Sequence, residues 1–193
     1  ALALLYIDGE VVDKNYLEAK KWLELSALQH HYLALHTLGL FHYEGEFGKK
    51  DFDKAFEYLK ESADLGYASS QYYVGLMYKN GDGVEKNPDE AVVYLTLAAN
   101  QGDMNAQYHL GVTYFKFKGM THYDKAFFWL NKAAEQKHPY AQYNLGVMYQ
   151  NGDFVNQDYQ KASVLYRQAA EKAQRSADAS GECGEPPRKR RES

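Results

Sequence analysis

The stretch Ala141-Gln142-Tyr143-Asn144-Leu145-Gly146-Val147-Met148-Tyr149-Gln150-Asn151-Gly152, with Asp158 to Glu171 after it, decides how this chain folds. Ala141, Leu145 and Tyr149 stand at i, i+4 and i+8, which is one apolar face of a 3.6-residue period. Asn151-Gly152 is a turn signal. Asp158 is placed to cap a second helix, in which Ala162, Leu165, Tyr166, Ala169 and Ala170 form the facing stripe. Small residues in that stripe let two helices approach closely. The unit reads as helix, turn, helix.

Outward from this unit the pattern recurs. Gly39, Gly75, Gly111 and Gly146 form one series, and Ala19, Ala55, Ala91, Ala126 and Ala162 another. Each keeps a spacing of 36 except for one step of 35, and both short steps trace to a single missing residue between Gly111 and Ala126. Two independent markers sharing one deletion make a repeat array, and periods of this size mean stacked supersecondary units. The expected fold is all-α, an α-α superhelix (solenoid) of about five helix-turn-helix repeats over residues 1–174. The units are 1–32, 33–68, 69–104, 105–139 and 140–174, with a disordered basic tail at 175–193. Projecting Gly39 back by 36 residues puts Ala3 in the middle of a helix, so the first unit is expected to be truncated.

A glycine inside each first helix needs a reason, because it costs roughly 1 kcal/mol against alanine there. Close packing supplies one: an apolar residue (Leu38, Val74, Leu110, Leu145) precedes each glycine, and the partner helix can seat against bare backbone. The second helices repeat small pairs at Ser26-Ala27, Ser62-Ala63, Ala98-Ala99, Ala133-Ala134 and Ala169-Ala170. Trp22, Tyr58, Tyr94 and Trp129, each followed by Leu23, Leu59, Leu95 or Leu130, read as core. Gly66 and Gly102 sit where a left-handed C-cap belongs, with His30, Lys137 and Ala173 in their place elsewhere.

These residues resemble the Sel1-like repeat, a relative of the tetratricopeptide repeat. The motif returns as Gln71-Tyr72-Tyr73-Val74-Gly75 with Asn80-Gly81-Asp82-Gly83-Val84, and as Ala106-Gln107-Tyr108-His109-Leu110-Gly111. The resemblance covers residues 1–173; the loop holding Phe117 and Gly119 departs from it. It implies a right-handed solenoid and an adaptor or scaffold role of the kind found in endoplasmic-reticulum degradation complexes, signalling scaffolds and bacterial proteins that meet host factors.

A curved array lines its inner wall with the first helix of each unit, so residues out of phase with the packing stripe are the candidate partner contacts on a concave face. Three before each glycine stand His36, Tyr72, Tyr108 and Tyr143, and one after stand Leu40, Leu76, Val112 and Val147. Four after stand Tyr43, Lys79, Phe115 and Gln150, and five after stand Glu44, Asn80, Lys116 and Asn151. Tyrosine dominates binding hot spots because it buries much area while freezing few torsions. The competing explanation is that the tyrosine ladder serves inter-repeat packing. The positions four and five after the glycine vary from unit to unit, as expected where no packing rule fixes them.

Other chemistry finds little support. The net charge of −4 argues against attraction of nucleic acid by the repeat body. No run of 18 apolar residues is present to span a membrane, and Cys183 is the single cysteine. His30, His31, His36 and His42 crowd one stretch, but His36 and His42 are six apart, off the i, i+4 register of two ligands on one helix face, and they read as exposed helix-end residues. Neither Gly-x-Ser-x-Gly nor Ser-x-x-Lys occurs, so a hydrolase has no recognisable nucleophile, and no cofactor is expected. The functional expectation is a non-enzymatic adaptor for a protein or peptide. The alternative is a nuclear or nucleic-acid-associated factor acting through Arg188, Lys189, Arg190 and Arg191, which follow Pro186-Pro187. Self-association through repeat ends or through the tail is a further expectation.

Overall fold

The computed structural model describes residues 2–8, 13–116 and 122–180. Among the described residues the elements are all helical: α1 (Leu2–Asp8), α2 (Tyr16–Ala27), α3 (Tyr32–Glu44), α4 (Phe52–Asp64), α5 (Ala68–Asn80), α6 (Pro88–Asn100), α7 (Met104–Lys116), α8 (Tyr123–Glu135), α9 (Pro139–Asn151) and α10 (Tyr159–Ser180). Odd-numbered helices are the first of each repeat and even-numbered ones the second, the helix-turn-helix order that the period predicts. The chain divides into two compact units, Ala1–Leu110 and Gly111–Ser193. In the first, α1 packs on α2, α3 on α4 and α5 on α6, and α2 meets α3 as α4 meets α5; in the second, α9 packs on both α8 and α10.

The helix ends are set by residues in the same register. Asn15, Asp51, Asn87 and Asp158 each turn a side-chain oxygen onto the backbone N–H groups that open α2, α4, α6 and α10. Three are separated by the 36-residue period, and His122 holds the corresponding place before α8 without a side-chain cap bond. At the other end, α3, α5 and α9 stop at Gly45, Gly81 and Gly152, which take left-handed φ of 86°, 87° and 78°. The expected left-handed caps after the second helices are present at Gly66 and Gly102 and, without a glycine, at His30 (φ 54°) and Lys137 (φ 66°).

Ala173 does not cap a helix, because α10 continues to Ser180 and takes in the first six residues of the expected tail, 175–180. Ala173, Ala177 and Ala179 favour the helix without any need for an apolar stripe. Arg188, Lys189, Arg190, Arg191 and Cys183 lie outside the described residues, as do Phe117 and Gly119.

The helix glycines are notches for one residue of the second helix. A β-carbon on Gly39 would meet Leu59 Cγ at 2.5 Å, one on Gly75 would meet Leu95 Cγ at 2.8 Å, and one on Gly111 would meet Leu130 Cγ at 2.7 Å. The last repeat differs: Gly146 faces Tyr166 Cε1 at 2.6 Å. Its Leu165-Tyr166 inverts the aromatic–leucine order of Tyr58-Leu59, Tyr94-Leu95 and Trp129-Leu130, so the ring enters the notch. Leu23, Leu59, Leu95 and Leu130 are buried, whereas the aromatic neighbours read as core are not: Trp22 is 40% exposed, and Tyr58, Tyr94 and Trp129 are half-buried. One residue along a helix turns a side chain by about 100°, and only the leucine points into the notch.

Candidate protein-interaction face

The glutamines that precede Tyr72 and Tyr108 stitch their repeats to the one before, whereas Gln142 donates to Gln168 Oε1 of its own repeat at 3.5 Å. Gln71 Nε2 donates to the Ala63 carbonyl at 3.2 Å and Gln107 Nε2 to the Ala99 carbonyl at 3.1 Å, both buried. Each accepting carbonyl belongs to the second member of a small-residue pair. This fixes the register of α5 on α4 and of α7 on α6, and with it the direction of the tyrosine that follows each glutamine.

In the first unit the faces of α3, α5 and α7 carry a continuous aromatic wall. Tyr32 lies against Tyr67 (5.1 Å between ring centroids), Tyr67 against His36 (4.9 Å), His36 against Tyr73 (6.0 Å) and Tyr73 against Tyr43 (5.9 Å). The wall continues through Tyr73 and Tyr72 (5.3 Å), Tyr72 and His109 (5.7 Å), and His109 and Tyr108 (5.2 Å). His36, Tyr43, Tyr72 and Tyr108 are therefore brought together, half-buried, as rungs of one structure. Their connectors Tyr67, Tyr73 and His109 were not singled out from sequence. The column two before each glycine reads Thr37, Tyr73, His109 and Asn144, as variable as the columns four and five after it, and that variation is the signal that would have found Tyr73 and His109.

Leu40 and Leu76 are half-buried beside this wall, Lys79 is half-buried, and Glu44 and Asn80 are exposed. In the second unit Val112, Phe115 and Val147 are half-buried, Tyr143, Gln150 and Asn151 are exposed, and the Lys116 side chain lies outside the described residues. There Tyr166 draws two candidates together: its hydroxyl donates to Gln150 Oε1 at 2.7 Å and its ring lies 5.3 Å from Tyr143. Phe115 meets Tyr123 at 5.5 Å.

Burial and charge give the wall its electrostatics. Desolvation pushes the Tyr72 hydroxyl up to about 12, and the Tyr73 and Asp103 charges act in the same direction. Desolvation also raises Tyr73, helped by Glu44 and Asp103, and raises Tyr43, helped by Asp82, which accepts the Tyr43 hydroxyl at 3.4 Å. All of these tyrosines are neutral hydrogen-bond donors at physiological pH.

His36 is tied into the packing. Ser62 Oγ donates to the Tyr32 carbonyl (2.9 Å), Ser70 Oγ donates to Ser62 Oγ (2.7 Å), and the His36 Nδ1–H completes the chain by donating to Ser70 Oγ at 2.8 Å. Burial lowers its pKa to about 4, so the ring is neutral with Nδ1 protonated. Although Ser70 touches a histidine, it is fully buried and gives its proton to Ser62, so it offers no nucleophile to solvent.

The four histidines read as exposed helix-end residues divide. His30 and His31 are exposed, but His36 is half-buried and His42 is buried between Phe47 (5.2 Å) and Tyr58 (5.8 Å); His138 too is buried, at the start of α9, where its Nδ1 accepts from Ala141 N. The helical phase of His42, shared with Leu35 and Leu38, points it inward. Among the described residues no group of three His, Cys, Asp or Glu is arranged to hold a metal ion, and no helix is long and apolar enough to cross a membrane.

The Sel1 repeat model matches five consecutive segments, residues 1–31, 33–67, 68–103, 105–138 and 139–173. The chain belongs to the Sel1 repeat family. No curated protein matches it by sequence. Among solved structures it is similar to c5321, a protective antigen of uropathogenic Escherichia coli with this repeat fold, at 36% identity and a TM-score of 0.83, covering 88% of this chain and 37% of that one. It is similar also to a Sel1 repeat protein from Oxalobacter formigenes, at 31% identity and a TM-score of 0.79 over 89% of this chain and 71% of that one. The immunity protein Pa5087 from Pseudomonas aeruginosa follows at 26% identity and a TM-score of 0.55, covering 83% of this chain and 60% of that one. The chain thus spans 37% of the length of the E. coli antigen. Sel1 repeat proteins are all-α solenoids that act as protein-interaction scaffolds, and the Gly–Leu notches and Gln stitches are how this Sel1 chain builds its repeats.

Proposed function

We propose that this chain is a non-enzymatic adaptor that binds a protein or peptide on the face formed by the first helices of its first unit, with the aromatic wall at the centre of the contact. The observation that carries the reading is the aromatic run from the exposed Tyr32 through the half-buried Tyr67, His36, Tyr73, Tyr72 and His109 to Tyr108. Rings already held by their neighbours lose little further freedom when a partner covers them, which makes such a surface efficient at binding. The variable columns beside it, Tyr43 and Lys79 in particular, would then select the partner.

A photo-crosslinking residue at Leu76 or Tyr108, compared with one at Val93 or Leu97 on the exposed side of α6, tests this in cell extract with the full chain. A discrete crosslinked protein from Leu76 or Tyr108 supports the reading, and crosslinks from Val93 and Leu97 alone overturn it. A version lacking residues 181–193, cut beyond the end of α10, asks in the same experiment whether capture needs the basic segment.

A further inference from the structure

We propose that the cluster of Tyr43, Tyr72 and Tyr73, edged by Glu44, Asp82 and Asp103, takes up the cationic side chain of an arginine or lysine from a bound peptide. The proposal rests on the functional reading above and names the chemistry of the partner.

The three rings belong to two neighbouring helices and touch edge to face: Tyr73 lies 5.9 Å from Tyr43 and 5.3 Å from Tyr72, with interplanar angles of 67° in both pairs. Each ring has a further neighbour, Phe52 at Tyr43 (5.2 Å), His36 at Tyr73 (6.0 Å) and His109 at Tyr72 (5.7 Å), and all three remain partly open to solvent. A guanidinium or ammonium group over a ring face is attracted by the ring quadrupole, more strongly as water is excluded.

The charges around the rings are of the sign such a ligand needs. Asp82 accepts the Tyr43 hydroxyl and the Asn80 amide on one oxygen (3.4 and 3.1 Å), which aims it along the cluster. Asp103 is held at the start of α7 by accepting Ala106 N at 2.8 Å, and Glu44 ends α3 beside Tyr73. These carboxylates act on the three tyrosines, Asp82 on Tyr43, Asp103 on Tyr72 and Tyr73, and Glu44 on Tyr73.

Elsewhere the chain fills aromatic faces with its own lysines: Lys161 over Tyr149 at 4.3 Å, Lys20 over Phe47 at 4.9 Å, Lys60 over Tyr94 at 5.5 Å. Tyr43, Tyr72 and Tyr73 lie beside carboxylates, the charge that a cation from the partner would meet. Lys79, on the same helix face, reduces the acidic excess of three carboxylates without cancelling it.

The test is a titration of the full chain, carrying ring-labelled tyrosine, with N-acetyl-arginine methylamide, with its lysine counterpart and with N-acetyl-citrulline methylamide as the neutral isostere, followed by NMR. Saturable shifts at Tyr43, Tyr72 and Tyr73 with the arginine or lysine probe, at least about fivefold weaker with citrulline and about fivefold weaker in Asp103→Asn or Glu44→Gln, are the expected result. Equal response to citrulline, or a response indifferent to both substitutions, overturns the proposal, as does no saturable shift with either cation. The variants' amide spectra show whether the fold is retained, and Glu44→Gln, at an exposed position, keeps the test usable if Asp103→Asn unfolds. Crosslinking at Leu76 or Tyr108 combined with a negative titration means that the face binds a partner of different chemistry; loss of both removes the functional reading as well.

Discussion

Leu95 occupies the space that a side chain on Gly75 would need: a β-carbon there would sit 2.8 Å from Leu95 Cγ and 3.2 Å from the Leu95 backbone nitrogen. The leucine could swing away, but its backbone is part of α6 and cannot. Gly75→Ala gains roughly 1 kcal/mol of helix propensity and meets an overpacking cost of about 1–3 kcal/mol, so a net loss of about 1 kcal/mol is expected. Leu95→Ala alone should lose about 2–5 kcal/mol, and the double variant less than the two losses added, because the alanine at 75 then fills part of the cavity. Urea unfolding of the four proteins checks this; strict additivity would show that the two residues do not share the space.

His36 should make the fold acid-sensitive. Its pKa is about 4 in the folded chain against 6.5 for a free side chain, because burial disfavours the charged ring. The unfolded chain therefore binds the proton first, and the contribution of His36 is fully present above pH 6.5 and lost as pH falls toward 4. The ceiling on this loss is about 3 kcal/mol, lowered further where solvent screens the partly exposed ring. Burial lowers His42 and His138 in the same direction, so a slope should remain in His36→Phe, but a shallower one. Stability measured at intervals between pH 7 and 4 compares the two, and parallel curves would mean that His36 titrates normally. Nitrogen shifts of the ring should show the proton on Nδ1, as the bond to Ser70 requires.

The fold was legible because its causes are local and repeat. The 36-residue period, the notch glycines and the Gly66 and Gly102 caps each recur in register, so one unit explains the next. Less legible was which residue fills a notch: the aromatic and leucine at Trp22-Leu23 differ by one step, and sequence alone placed both inside, whereas the structure leaves Trp22 40% exposed. The candidate face was half legible. Its tyrosines were found by column, but Tyr67, Tyr73 and His109 join them through contacts between residues about 30 to 37 positions apart, which no local pattern displays.

Lys137 offers a stabilising substitution. It holds φ at 66°, left-handed, at the position where Gly66 and Gly102 stand in other repeats at 92° and 94°. A residue with a β-carbon gives up roughly 1 kcal/mol there, of which glycine returns only part as entropy in the unfolded chain. Lys137→Gly should raise stability by about 0.5–1 kcal/mol, and Gly66→Ala, where a β-carbon meets nothing within 4 Å, should lower it by about 1 kcal/mol through backbone strain alone. Thermal melts of both variants read opposite signs. A destabilised Lys137→Gly would show that the lysine side chain makes a contact worth more than the strain.

Tyr166 makes the last repeat a test of how specific the notch is. It stands where Leu59, Leu95 and Leu130 stand in the preceding repeats, with its ring against Gly146, its hydroxyl on Gln150 and its ring edge near Tyr143. The hydrogen bond is solvent-exposed, so Tyr166→Phe should cost no more than about 0.5 kcal/mol. Tyr166→Ala removes the packing against bare backbone and should cost about 2–4 kcal/mol, since the notch is too narrow to be refilled from α9. Tyr166→Leu restores the residue of the other repeats. It should fall between the two, because leucine fits the notch but leaves Tyr143 without its neighbour and Gln150 without its donor. If Tyr166→Phe proves as damaging as Tyr166→Ala, the hydroxyl rather than the ring holds α10 to α9. If Tyr166→Leu matches the parent protein, the inverted Leu165-Tyr166 order serves the exposed face at Tyr143 and Gln150 more than it serves packing.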